Sequence, residues 1–174
     1  DALREFQGSG KPVYAYLDAA TNREYYLSSL ADEISIPPET IVQLGLLSET
    51  TFYRRTLEKV KIEPQLEHVG KYKSASDILM RDSMSEEHRE SVNSLLDSIY
   101  GQMVAAIAEG RRIDAASVEA VIDQGLISPA QMLQAGLVDE IAYPDEIRRK
   151  LNIEGEDSES RRIGLDDYAQ RGGL

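Results

Sequence analysis

Few side chains in this chain could move a proton or attack a carbonyl. Lys71 and Lys73 flank Tyr72 in the segment Gly70–Lys71–Tyr72–Lys73–Ser74–Ala75, and Ser74 adjoins the second lysine. A lysine amine is a base only when neutral, and with an ordinary value near ~10.4 about one molecule in two thousand is neutral at pH 7. A lysine base therefore needs a site that lowers this value by roughly 3 units, at a cost of about 4 kcal/mol. Burial in a dry groove does this, as does covering by a neighbouring domain. Such an amine accepts the hydroxyl proton of a serine, which attacks a peptide carbonyl and forms an acyl-enzyme. Ser74 is a poor partner for it, because adjacent side chains on an extended backbone point apart. A turn or capping role suits Ser74 better. The same alternation aims Lys71 and Lys73 the same way, so the residues themselves leave the choice between them open. As isolated residues both read as solvated loop charges.

The other chemistries have less support. There is no cysteine, which removes disulfides and thiolate chemistry. His68 and His88 stand far apart with no carboxylate pattern around them, whereas zinc needs a denser ligand set, so neither metal nor cofactor is expected. Tyr25 and Tyr26 read as core and interface packing. The 31 acidic against 19 basic residues leave a net charge of -12. That balance argues against nucleic acid as a partner, since phosphate binding needs a basic face, and an anionic membrane surface would repel it. The acidic residues read as a solvated surface.

Positioning these residues falls to one α/β domain. The 174 residues suffice for one core and are too few for two comfortable ones. Val13–Leu17 has the composition of a short buried strand, and Arg23–Ala31 places Tyr26, Leu27 and Leu30 on one helical face. Glu33–Ile36 alternates as a strand that Pro37 and Pro38 end. Ile41–Leu47 reads as a strand with a loop at Gly45. Thr51–Lys59 reads as a helix with Phe52, Leu57 and Val60 inward, and Gln65–Val69 as a short strand leading into the lysine loop. Ser76–Arg81 forms a turn or short helix.

Ser85 then caps a long helix with Glu86 and Glu87 in its first turn, where the dipole favours acid. Val92, Leu95, Leu96, Ile99, Met103 and Ile107 recur at helical spacing, and Gly110 is expected to end the run. Asp114–Asp123 is a second helix, Ser128–Pro129 starts a third that Gly136 closes, and Leu137–Ile141 is briefly extended. Pro144–Leu151 makes a last helix. Strand and helix thus alternate, with no internal repeat.

The two ends differ from this body. The opening DALREFQGSGKP reads as the last turns of a helix whose beginning lies upstream, so the chain is expected to be a piece of a longer precursor. From about Asn152 the composition turns polar and charge-dense, as in a linker. Arg162–Leu165 would become a strand only if another domain received it. No apolar run approaches the ~20 residues that span a bilayer, and no signal peptide is expected within these residues, any targeting information being expected upstream.

Several segments occur in a familiar serial order. They are Lys11–Ala15, Tyr25–Leu27 with Ala31–Ile34 after it, Val69–Ser74, Met84–Glu87 running to Glu109–Arg111, and Ala135–Glu140. Over roughly residues 1 to 150 the chain resembles the signal peptide peptidase A (protease IV) family. The resemblance implies an α/β domain of the crotonase-like, Clp-protease-like fold, built from spiralling β-β-α units. It also implies a serine endopeptidase with a Ser–Lys dyad that degrades cleaved signal peptides, and it selects Lys73 as the base.

The family has a one-domain form that carries both residues and a long form whose N-terminal domain gives the lysine and whose C-terminal domain gives the serine. Here Asp18–Tyr25 departs from the glycine-rich run of the serine-bearing version, and the serine-bearing Ser-Pro-Gly-Gly-like turn is absent. The resemblance thus implies the lysine-donating N-terminal domain of the long form, truncated at its start, with residues 1–152 as the domain and 153–174 as a linker toward a second one. The implied partners are signal peptides, a serine-bearing second domain or neighbouring subunit, and further copies of the chain in a homo-oligomer. The implied location is the periplasmic side of a bacterial inner membrane. Two other functions compete, a non-catalytic domain kept for oligomer assembly and a crotonase-like enzyme acting on acyl-coenzyme A thioesters.

Overall fold

The structure is a computed structural model that describes residues 2–66, 70–153 and 163–170. The chain divides into two compact units, Asp1–Val42 with Leu126–Leu174, and Gln43–Gly125.

The first unit is organised on a parallel sheet. Helix α1 (Ala2–Gly8) leads to strand β1 (Tyr14–Tyr16), helix α2 (Asn22–Ser28) and strand β2 (Glu33–Ile36). Strand β3 (Val42–Gln43) begins at its border, and strand β4 (Leu126–Ile127), helix α7 (Pro129–Gln134), strand β5 (Glu140–Ile141) and helix α8 (Pro144–Lys150) complete it. The sheet order is β1-β2-β5, with Ala15 opposite Ile34 and Ile36 opposite Ile141. Ile34 and Ile36 point to one face and are fully buried. Tyr14, Tyr16, Glu33 and Ser35 line the other, where α8 leaves a groove of about 250 Å³. A mixed α/β architecture was the expectation, and parallel strands with intervening helices are what the chain forms.

A short motif recurs at the start of two neighbouring strands: Asp32–Glu33–Ile34 at β2 and Asp139–Glu140–Ile141 at β5. Each aspartate accepts a backbone N–H, Asp32 from Val13 just before β1 and Asp139 from Ile34 in β2, both at 2.8 Å. Both glutamates meet the ammonium of Lys150 at the end of α8, Glu140 at 2.7 Å. The carboxylates thereby satisfy amides at the sheet margin and tie α8 to it.

Helix α2 buries a different face from the one expected. Tyr26 and Leu27 are exposed, whereas Tyr25 and Ser29, four residues apart, are fully buried. The Tyr25 hydroxyl donates to the Leu137 carbonyl, which lets a polar atom enter the core. Ser128 and Gln131 form the capping box that starts α7, with Pro129 at its first position.

The second unit is helical: α3 (Arg54–Lys59), a 3₁₀ turn (Ser74–Ser76) running into α4 (Asp77–Met80), the 26-residue α5 (Glu86–Arg111), and α6 (Ala115–Ile122). Helices α5 and α6 pack together. Met103, Val104 and Ile107 are buried on α5, as are Val118, Val121 and Ile122 on α6. The apolar stripe expected along α5 is buried only in this second half, since Leu95 is 61% and Ile99 43% exposed. Val60, expected inward after α3, is likewise exposed.

Four helix ends follow one pattern. In α3, α5, α7 and α8 the residue past the last turn is left-handed: Lys61, Arg112, Gly136 and Asn152 respectively. The aliphatic residue after it (Ile62, Ile113, Leu137 or Ile153) donates its N–H five residues back, at 2.9–3.1 Å. This is the Schellman arrangement. Gly110 therefore lies inside α5, and the helix stops at Arg112. One strand expectation is also revised. Ile41–Leu47 is extended only at Val42–Gln43, because Gly45 takes φ 133° and Leu47 is turned to solvent. Leu165 opens helix α9 (Leu165–Gln170), whose first turn carries Asp166 and Asp167. Of the strand expected at Gln65–Val69, Gln65 and Leu66 have no regular structure, and the rest lies outside the described residues, as do His68 and the polar stretch 154–160.

Candidate active site

The lysine loop belongs to the second unit. Gly70 adopts φ 105°, a conformation that suits glycine, and its carbonyl accepts the N–H of Lys73 at 3.3 Å. Lys73 is the residue before the 3₁₀ turn, at φ -85° and ψ 71°. The segment is thus a turn and not the extended run on which alternation was argued, so neither the common direction of Lys71 and Lys73 nor the divergence of Lys73 and Ser74 follows from that alternation. Lys71 and Lys73 are exposed, and Ser74 is half-buried. Among the described residues the Lys73 amine has no hydrogen-bond or ion-pair partner.

The residues around Lys73 are anchored although its amine is not. On its N-terminal side the Tyr72 hydroxyl donates to the Glu90 carboxylate of α5 at 3.1 Å, and this bond raises the Tyr72 hydroxyl above its ordinary value. On its C-terminal side Asp77, the first residue of α4, is buried and accepts the Ser85 hydroxyl at 2.8 Å. The Ser85 oxygen in turn accepts the His88 backbone N–H at 3.2 Å and caps α5. The Ile78 carbonyl accepts the Tyr53 N–H at 2.7 Å, which holds α4 against the start of α3. The His88 ring lies 6.5 Å from that of Phe52, tilted by 60°, and its Nδ1 is buried without a hydrogen-bond partner among the described residues.

Sequence reading identified the capping role of Ser85. It missed Asp77 and Glu90, and it missed the second bond of Ser85. The available signal was the spacing of Asp77 from a serine at a helix start, which has meaning only once α4 and α5 are known to meet. Tyr25 proves to be a core residue, as the packing reading had it. Among the described residues no three His, Asp or Glu side chains form a set able to hold a metal ion, and no helix is long and apolar enough to cross a membrane.

Comparison with known proteins identifies the family. Residues 5–156 match the peptidase family S49, so the chain belongs to that family of peptidases. It is 34% identical over 177 residues to the chloroplastic serine protease SPPA of Arabidopsis thaliana, an alignment covering 99% of this chain and 26% of that protein. To protease 4 of Haemophilus influenzae it is 31% identical over 179 residues, covering 96% of this chain and 29% of that protein. A putative signal peptide peptidase SppA of Enterococcus faecium is 28% identical over 151 residues, covering 82% of this chain and 42% of that protein. The chain thus spans between a quarter and a third of the length of the first two relatives.

Proposed function

We propose that this chain contributes the general base, Lys73, to a serine endopeptidase that degrades cleaved signal peptides with a Ser–Lys dyad, the serine being carried outside residues 1–174. The observation that carries this reading is a lysine amine held in an anchored turn, exposed and without a partner among the described residues, inside the span that matches a peptidase family. When a serine-bearing domain or subunit covers this loop, the neutral amine takes the hydroxyl proton as the serine oxygen bonds to the peptide carbonyl carbon. The proton then passes to the leaving amine, and water releases the acyl group. Backbone N–H groups beside the serine hold the oxyanion.

Several finer points belong to the same reading. The domain is crotonase-like, with spiralling β-β-α units over residues 1–152 and a linker at 153–174, and the assembled protein is a homo-oligomer at a bacterial inner membrane, facing the periplasm. Relatives named serine protease SPPA and signal peptide peptidase support the reaction class and the substrate. A second reading, a domain kept for assembly alone, is favoured by the exposed Leu95 and Ile99 of α5.

The test is Lys73→Ala in the full-length protein, assayed on a synthetic signal peptide. The variant should lose cleavage by a factor of about 100 to 10,000, the usual worth of a general base. Full activity would overturn the reading, and unchanged oligomers with no activity in either protein would favour assembly alone.

A further inference from the structure

We infer that Ser85 is a positioning residue for Lys73, acting through Asp77, so that the N-terminus of α5 sets where the backbone of the lysine stands; this rests on the reading of Lys73 given above. The geometry is a short rigid path. Lys73 leads directly into the Ser74–Ser76 turn, and that turn continues without a break into α4. Asp77 is thus four residues from the lysine along helical backbone, with little slack between them. Asp77 is buried and its carboxylate receives the Ser85 hydroxyl in a part-buried bond. The same oxygen caps the 26-residue α5, so the loop is referenced to the longest element of its unit.

The second tie, from Tyr72 to Glu90, lies on the other side of Lys73 and one turn further along α5. It is exposed to solvent and is therefore the weaker of the two. Together they bracket the lysine between two points on one helix while leaving its amine free of partners among the described residues. A proton-accepting amine benefits from this arrangement: the backbone that carries it is held by its neighbours, and none of its own hydrogen-bonding capacity is used among the described residues.

The two jobs of Ser85 can be separated by substitution. Ser85→Thr keeps the oxygen that caps α5 and the hydroxyl that reaches Asp77. Ser85→Asp keeps a good cap, since aspartate accepts the His88 N–H as well as serine does, but it has no proton to give Asp77 and faces it with like charge. In the full-length protein acting on a synthetic signal peptide, Ser85→Asp should lower kcat about tenfold with KM unchanged, the factor one hydrogen bond carries, and Ser85→Thr should restore it. In parallel, hydrogen exchange of the 174-residue chain should quicken about tenfold at residues 70–80 in Ser85→Asp, with the amides of residues 100–110 in α5 unchanged. Wild-type exchange at residues 70–80 in Ser85→Asp would overturn the inference, as would faster exchange with kcat unaffected. Should Lys73→Ala prove fully active, the peptidase reading falls, and the exchange measurement still decides whether Ser85 holds the loop.

Discussion

The buried hydroxyl of Tyr25 donates to the backbone carbonyl of Leu137, 112 residues further along the chain. Helix α2 is thereby pinned to the corner between α7 and β5, and the two separated stretches that make up the first unit share a hydrogen bond in their core. Tyr25→Phe keeps the ring and removes the donor, leaving a buried carbonyl without it. Unfolding in urea should show a loss of about 1–2 kcal/mol with an unchanged m value.

Lys150 serves two glutamates at once, and its ammonium is held above the ordinary lysine value first by Glu140 and then by Glu33. A raised value means that this contribution is complete below the unfolded lysine value and fades only as pH rises through the folded one. Between about pH 6 and 9 this lysine should therefore add no pH dependence to stability. Lys150→Met leaves two carboxylates facing each other, so Tm should fall. Adding Glu33→Gln should recover part of the fall, and high salt should narrow it. Thermal melts of the three proteins at two ionic strengths check this.

Asp114 caps α6 through both oxygens, accepting the Ser117 hydroxyl at 2.6 Å and its N–H at 2.8 Å. The hydroxyl bond first, and the backbone bond after it, hold this carboxyl below its ordinary value. The stability it adds is present above the unfolded carboxylate value and is lost as pH falls through the lower, folded one. Asp114→Asn retains a cap but does not titrate. Tm measured between about pH 5 and 2 should fall less steeply in the variant than in the wild type.

Lys71 and Lys73 are exposed alike, and only the family register separates them. Lys71→Ala in the full-length protein should therefore keep signal-peptide cleavage within about twofold, and both alanine variants should melt with the wild type, within about 0.5 kcal/mol. Loss of activity in Lys71→Ala with retention in Lys73→Ala would reassign the base.

How far these features could be read beforehand depended on whether they were local. β2, bounded by Asp32 and Pro37, and the cap of α5 at Ser85 are written in neighbouring residues and were legible. Burial was less so. The apolar spacing of Val92 to Ile107 identifies a helix face, but spacing alone does not say that Met103 and Ile107 are covered while Leu95 and Ile99 are not. The same limit hid Tyr25 behind Tyr26. At the candidate site the lysine could be found in sequence, while the carboxylate of Asp77 could not be connected to Ser85 before the helices that carry them were placed. The paired Asp–Glu–Ile motifs were visible as letters, and their shared purpose became plain only when β2 and β5 proved to be neighbours.

Four helices stop at a left-handed residue followed by an aliphatic one, and glycine occupies only one of those stops. Lys61 and Arg112 hold that conformation against the crowding of their own Cβ atoms, so the punctuation comes from the isoleucines that follow them. Two corners of the chain are thus spring-loaded, and relaxing them requires no change to any packed surface. Arg112→Gly should raise stability by about 0.5–1 kcal/mol without moving the end of α5, whereas Ile113→Ser should let that end unravel.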